Sequence, residues 1–342
     1  MALIQKLIEK MQRHPKRIVF PEGNEPRVIQ AARQFATRRM GVPILIGDRT
    51  SIKESAARLD IQLDGIRLLE PERSEDMEQF TVAVENLRRY KGLKEVEAKV
   101  ALNNPTFFAV MMLATNHADA MVGGPTGTAI STLRPLFQII PRLDGVQTAS
   151  SMMMLDFDDS RFGIDGTLFL ADCGIIPDPT AEQLADVALA TARIAHHLTD
   201  ATPRVAMLGH ATHSTGTSSL ALAKVKAATE IARDRARKGL IEMEIDGELQ
   251  VDAALCPETA RGKGLSDSVA GRANVLVFPD LNSGNIGSKL VQILAGVNTY
   301  GQIITGMSKP AAKISHRASA HDILGTATIV GCQAIDHRLL YG

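Results

Sequence analysis

The sequence of 342 residues has no excess of either charge: 38 Lys and Arg stand against 38 Asp and Glu. With that balance nothing points to a nucleic-acid or membrane surface, so any anion binding must come from local clusters of cations. There are three cysteines, Cys173, Cys256 and Cys332, and their wide spacing makes neither a disulfide framework nor a zinc site. Free thiols fit a reducing cytoplasm. No apolar run is long enough to span a bilayer. The opening MALIQKLIEKMQ lacks the continuous apolar stretch of a signal peptide and reads instead as an amphipathic helix, with Leu3, Ile4, Leu7, Ile8 and Met11 on one face. There is no tandem repeat, no low-complexity segment, and neither a GKS/GKT phosphate loop nor a GxGxxG turn.

What is present is a hydrophobic content of 45%, enough for sizeable cores, and a strand–helix alternation from end to end. Residues 17–21 (RIVFP) and 43–47 (PILIG) read as strands around a helix over 28–39, a β–α–β unit with parallel strands. A helix over 103–117 opens on Asn104 and a proline, and a strand over 118–123 follows it. Further strands are predicted at 167–171, 204–208 and 274–279. Thr180 and Gln183 form a capping box for a helix reaching about His197. After the strand at 274–279, residues 280–287 (DLNSGNIG) read as a glycine-bearing loop before a helix over 288–294. The fold class is α/β, doubly wound. Two domains are expected, one from residues 1–150 with 307–342 and one from 151–306, because the character of the chain changes near 150 and chain ends usually lie close together.

Two stretches carry candidate chemistry. Residues 123–128 (GGPTGT) join a strand to a helix, so they are either an anion cradle of backbone N–H groups or a plain strand–helix turn. Residues 309–322 (KPAAKISHRASAHD) set Ser315, His316, Arg317 and Asp322 within eight positions, between two apolar segments. Ser319 and Asp322 also have capping-box spacing, which would give the acid a purely structural role. Met152 to Met154 read as core or as an oligomer contact. Cys173, directly after a strand, reads as a small buried hydrophobe. His210 and His213 have no carboxylate close by in sequence, and their loop reads as a polar substrate-facing segment.

The motifs taken together resemble those of phosphate acetyltransferases. Residues 18–27 (IVFPEGNEPR), 87–92 (LRRYKG), 132–140 (TLRPLFQII), 169–183 (FLADCGIIPDPTAEQ), 246–254 (DGELQVDAA), 274–281 (NVLVFPDL) and 284–292 (GNIGSKLVQ) run in that family's order over nearly the whole chain. The resemblance implies two α/β domains of the isocitrate/isopropylmalate-dehydrogenase kind with an active site in the interdomain cleft. The implied reaction is acetyl-CoA + phosphate ⇌ acetyl phosphate + CoA, with CoA a substrate and no cofactor or metal needed. By position, Asp322 matches the general base for the CoA thiol and Ser315 the serine on the reacting acyl oxygen. Arg88 and Arg134 match arginines that hold phosphate and CoA. Thr128, Asn285, Gly287, His213 and Ser214 fall on substrate-facing segments. A homodimer in the cytoplasm, with small-molecule substrates only, completes the expectation.

Three departures stand against the family pattern. Ser315 is followed by His316, with Arg317 one place later, where the family has Ser-Arg. Residues 209–216 (GHATHSTG) stand where the family has an SFSTKGS loop, with His210 and His213 and no lysine. Residues 127–129 (GTA) replace His-Ser-Thr. A transferase for another short acyl group, or an acyl-CoA-binding regulatory module, are the alternatives these changes raise. A metal-dependent dehydrogenase on the same fold would need clustered acids. Asp156, Asp158 and Asp159 read instead as a solvated turn.

Overall fold

A computed structural model describes residues 3–87, 95–144, 146–213, 219–239, 242–266 and 268–335. The described chain divides into two units, one from residues 4–141 with a return from 307 onward, the other from residues 142–306.

The first stretch runs α1 (Leu3–Arg13), β1 (Lys16–Phe20), α2 (Pro26–Thr37), β2 (Gly41–Ile46), α3 (Arg49–Arg58), β3 (Arg67–Leu69), α4 (Met77–Asn86), α5 (Glu95–Leu102), α6 (Pro105–Ala114), β4 (Ala120–Gly123) and α7 (Ala129–Ile139). Local chemistry explains the boundaries. The Asn104 side chain accepts from the Thr106 and Phe107 N–H groups, and Pro105 sits where no N–H is needed, so α6 starts there. Phe107 to Leu113 are all buried, as expected of a helix that is apolar all round. Arg17 forks onto the Asp119 carboxylate, with Nη2 to Oδ1 at 2.8 Å, and so ties β1 to the entry of β4.

The second unit runs β5 (Ser150–Asp156), β6 (Thr167–Ala171), α8 (Ala181–Thr199), β7 (Arg204–Leu208), α9 (Leu220–Lys238), β8 (Glu244–Leu249), α10 (Val251–Leu255), α11 (Pro257–Gly262), β9 (Val275–Val277), α12 (Leu281–Ala295) and β10 (Asn298–Thr305). The Thr180–Gln183 capping box opens α8. The strand order is β10-β5-β6-β9-β7-β8. β6, β9, β7 and β8 pair in parallel, whereas β5 is antiparallel to both β10 and β6. Met152 and Met154 on β5 are fully buried, so they are core.

The chain then returns to the first unit with β11 (Ala311–Lys313) and α13 (Ala320–Ile335). The order there is β3-β2-β1-β4-β11, all parallel. α13, buried from Ile323 to Gln333, packs on β1, β4 and α2.

One expectation is corrected here. Residues 281–287 are not a loop before a helix: α12 begins at Leu281, where the Asp280 side chain accepts from the Ser283 N–H. Asn285 and Gly287 therefore lie on a helix. The glycines serve close packing. A Cβ at Gly284 would lie 2.2 Å from the Asp172 carbonyl oxygen, and one at Gly287 would lie 3.3 Å from the Phe278 ring.

Candidate active site

In the first unit the connections from β1 lead through β2 to one edge of the sheet, while β4 and β11 lie on the other side. The strand order thus reverses between β1 and β4, where parallel sheets open a crevice at the carboxyl ends of their strands. Three loops meet at that edge: residues 21–25 after β1, 124–128 after β4, and 314–319 after β11.

Glu22 sits at the reversal. Its Oε1 accepts the Gly124 N–H at 2.9 Å, while Oε2 is buried and accepts from no described residue. Burial pushes the Glu22 carboxyl above the ordinary glutamate range, against the opposing pull of the Gly124 N–H and the Lys313 ammonium. The Lys313 side chain lies across Gly124: a Cβ there would stand 3.0 Å from Lys313 Cγ, and φ at this residue is +96°. The positive φ favours glycine, and a side chain there would also have to push the Lys313 stem aside. Thr128 caps α7, its Oγ1 accepting the Ser131 N–H at 3.1 Å. Arg134, farther along α7, is exposed and pairs with no described residue.

The loop after β11 is tied down from two directions. His316 Nδ1 lies 2.9 Å from the Pro125 carbonyl, which can only accept, so Nδ1 carries the proton of that bond, and Nε2 bonds to no described residue. Arg27 Nη1 donates to the carbonyls of His316 and Ala318 at 2.6 and 2.9 Å, and its Nε donates to Glu25 Oε1. Ser315 is half-buried, and its Oγ accepts the Arg317 N–H at 3.3 Å, which leaves the hydroxyl proton for another acceptor. Arg317 is exposed. Ser319 and Asp322 make the reciprocal capping box: Asp322 Oδ2 accepts the Ser319 N–H and hydroxyl, each at 2.8 Å, and Ser319 Oγ accepts the Asp322 N–H at 3.1 Å. Asp322 is half-buried, and its Oδ1 accepts from no described residue. The structural role is therefore present, and it leaves one oxygen uncommitted.

Arg88 lies outside the described residues, as does Ser214. In the second unit His213 Nε2 lies 3.0 Å from Asp246 Oδ2, and the other Asp246 oxygen is held by Arg233. Sequence proximity offered His213 no carboxylate. The partner lies 33 positions away, and the pairing of β7 with β8 brings it in. Asn285 Nδ2 donates to the Cys173 carbonyl at 3.0 Å, as does Gln302 Nε2 at 3.1 Å. The buried Asp172 carboxylate accepts the N–H groups of Ser151, Gly174, Ile175 and Ile176 and the Ser151 hydroxyl. This ring of amides is an anion nest filled by the chain's own carboxylate. Burial first, and then the Asp172 charge, push the Cys173 thiol up to about 12, which keeps it an unreactive thiol.

Among the described residues no group of three or more His, Cys, Asp or Glu is placed to hold a metal. A cavity of about 640 Å³ beside β3, lined by Arg49, Lys53, Arg67 and Arg73 among others, shares no residue with the three loops.

Sequence reasoning missed Glu22, Arg27 and Asp246. Glu22 and Arg27 lie in the 18–27 motif, where the resemblance gave them no role, and burial of the acid is invisible before the strands are set side by side.

The same chain matches the family model described as phosphate acetyl/butaryl transferase over residues 2–330. The phosphate acetyltransferase of Thermoanaerobacterium thermosaccharolyticum is 39% identical over 335 residues, covering 98% of this chain and 100% of that protein. That of Acetivibrio thermocellus is 37% identical over 334 residues, covering 98% of each. The solved structure of a phosphotransacetylase from Streptococcus pyogenes superposes with a TM-score of 0.86 at 35% identity, covering 98% of both chains. A parallel sheet with its loops gathered at a strand-order reversal, and these matches along nearly the full length, lead to one conclusion: the chain belongs to the phosphate acetyl/butaryl transferase family.

Proposed function

We propose that this protein is a phosphate acetyltransferase, catalysing acetyl phosphate + CoA ⇌ acetyl-CoA + phosphate, and that the loop after β11 carries the chemistry. The CoA thiol is mostly protonated at neutral pH, since an ordinary thiol has a pKa of about 8.5. The uncommitted Asp322 Oδ1 takes that proton while sulfur attacks the acetyl carbonyl carbon. The C–S bond forms, the bond from carbon to the bridging phosphate oxygen breaks, and phosphate leaves. The proton passes from Asp322 to phosphate or solvent. The Ser315 hydroxyl donates to the carbonyl oxygen as negative charge gathers there. Arg134, Arg88 and Arg317 supply guanidinium forks for phosphate and for the anionic part of CoA. Thr128, Asn285, Gly287, His213 and Ser214 are assigned to substrate binding on the family pattern.

The observation that carries the reading is that Ser315 and Asp322 each keep one functional group free although their other atoms are held in place. A capping box that fixes the carboxylate by one oxygen aims the other. The test is thioester formation from CoA with acetyl, propanoyl and butanoyl phosphate. Wild-type protein is expected to turn over the acetyl donor best. Asp322→Asn is expected to stay folded and to lose turnover by a factor on the order of 10² or more. Turnover within about twofold of wild type would make Asp322 a helix cap only. Tight acetyl-CoA binding without product would instead make the chain an acyl-CoA sensor.

Two finer assignments go with this. The three cysteines are free thiols, two of them buried, which supports a reducing cytoplasm. On α12 the apolar side chains Ile286, Leu290, Ile293 and Leu294 are 58%, 51%, 53% and 80% exposed and recur at helical spacing. A homodimer that covers this stripe removes the largest exposed apolar row on one element.

A further inference from the structure

We propose that Glu22 is a positioning residue for the reaction: its carboxyl group, buried at the strand-order reversal, fixes the 124–128 loop through the Gly124 N–H and so sets the seat of His316 and of Ser315 beside it. The inference rests on the reading that puts the chemistry on Ser315 and Asp322.

The geometry forms a chain of contacts across three loops. Glu22 Oε1 accepts from Gly124 at 2.9 Å. The next residue, Pro125, turns its carbonyl to His316 Nδ1 at 2.9 Å. The His316 carbonyl in turn accepts from Arg27 at 2.6 Å, and Arg27, in the first turn of α2, is bonded through Nε to Glu25 on the loop that holds Glu22. The loops after β1, β4 and β11 are therefore bonded into a closed circuit, and Ser315 is one bond away from its His316 corner. Glu22 also lies under the rest of the glycine loop: its Oε1 is 3.7 Å from where a Gly127 Cβ would be.

Physical cost separates this from an ordinary surface acid. The second carboxyl oxygen, Oε2, is buried with no donor among the described residues. A buried oxygen without a partner is costly, and an apolar or shorter residue would avoid the cost. Burial also pushes the group toward its neutral form, while Glu25 on the same loop pushes the same way and Lys313 at the end of β11 opposes it. An acid kept where it is disfavoured, bonded to the backbone of the glycine loop, is the pattern of a group retained for function rather than for stability.

Glu22→Ala removes the acceptor, Glu22→Gln keeps it without charge, and Glu22→Asp keeps the charge but draws it back from Gly124. The readouts are kcat and KM for acetyl transfer and the NMR signals of the His316 ring, assigned with His316→Gln. Glu22→Ala is expected to lower kcat at least tenfold with a smaller change in KM, and to shift the His316 signals away from the bonded Nδ1–H state. Glu22→Gln is expected to stay within threefold of wild type on kcat and to keep those signals. Should the alanine variant fail to fold, Glu22→Asp takes its place with the same expectation. A folded Glu22→Ala or Glu22→Asp with kcat within twofold of wild type and unmoved His316 signals would overturn the proposal. So would a Glu22→Gln as damaged as the alanine variant. If wild type forms no thioester, the functional reading fails on its own, and the His316 signals still decide whether Glu22 sets that residue.

Discussion

His316 and Arg317 stand one position apart, and their side chains are committed differently. The His316 ring holds the Pro125 carbonyl through Nδ1, whereas the Arg317 guanidinium is exposed and makes no bond to a described residue. A ring that is fixed by one nitrogen serves as an anchor, and a free guanidinium is available for a phosphate oxygen. We expect Arg317→Ala to raise KM for acetyl phosphate or lower kcat by at least a hundredfold, and His316→Ala, which removes the anchor beside Ser315, to lower kcat about tenfold. Steady-state kinetics on the two variants decides the matter. The opposite order of effects would give the anion-binding role to His316. The sequence alone left both residues open because their spacing to Ser315 differs from the family pattern. Asp246 behind His213 was out of reach for the same kind of reason, since a contact across 33 positions has no local signature.

At the scale of the element, local chemistry reads well where a side chain caps its own helix. Thr180 with Gln183, and Asn104 with its proline, announce α8 and α6, and the structure has both. α12 is the instructive failure. Its opening DLNSGNIG has the composition of a loop, yet Asp280 caps it and the helix runs through both glycines. Gly284 is needed because the helix passes so close to the turn after β6 that a Cβ would lie 2.2 Å from the Asp172 carbonyl oxygen. That turn also carries the Asp172 nest and receives the Asn285 amide. We expect Gly284→Ala to destabilise the protein by about 1–3 kcal/mol, the usual cost of overpacking a backbone contact. Urea denaturation followed by circular dichroism measures it, and a midpoint unchanged from wild type would mean that α12 shifts freely.

For the whole molecule the charge balance and the exposed α12 stripe act together. With a net charge of zero there is no long-range repulsion to keep copies apart. The chain mass is 36.8 kDa, so light scattering during gel filtration is expected to report about twice that value. Leu290→Asp in the middle of the stripe, 51% exposed in one chain, is expected to shift the species to the monomer without unfolding it. A monomeric wild type, or a dimer unaffected by the charge, would remove α12 as the contact.

Hydrophobic periodicity, caps and motif order lie in neighbouring residues, so the sequence by itself determined the α/β class, most of the strands and helices, and the family resemblance carried by its motifs. What only the tertiary structure decided is which atoms remain free. Asp322 has the spacing of a cap and is one, and only the placed hydrogen bonds show that one oxygen is left over. Glu22 is one letter of the 18–27 motif until β1 and β4 lie side by side and close over its carboxyl group. The Glu22 contact spans 102 positions, and a dependence of that reach is why its burial and commitment cannot be read along the chain.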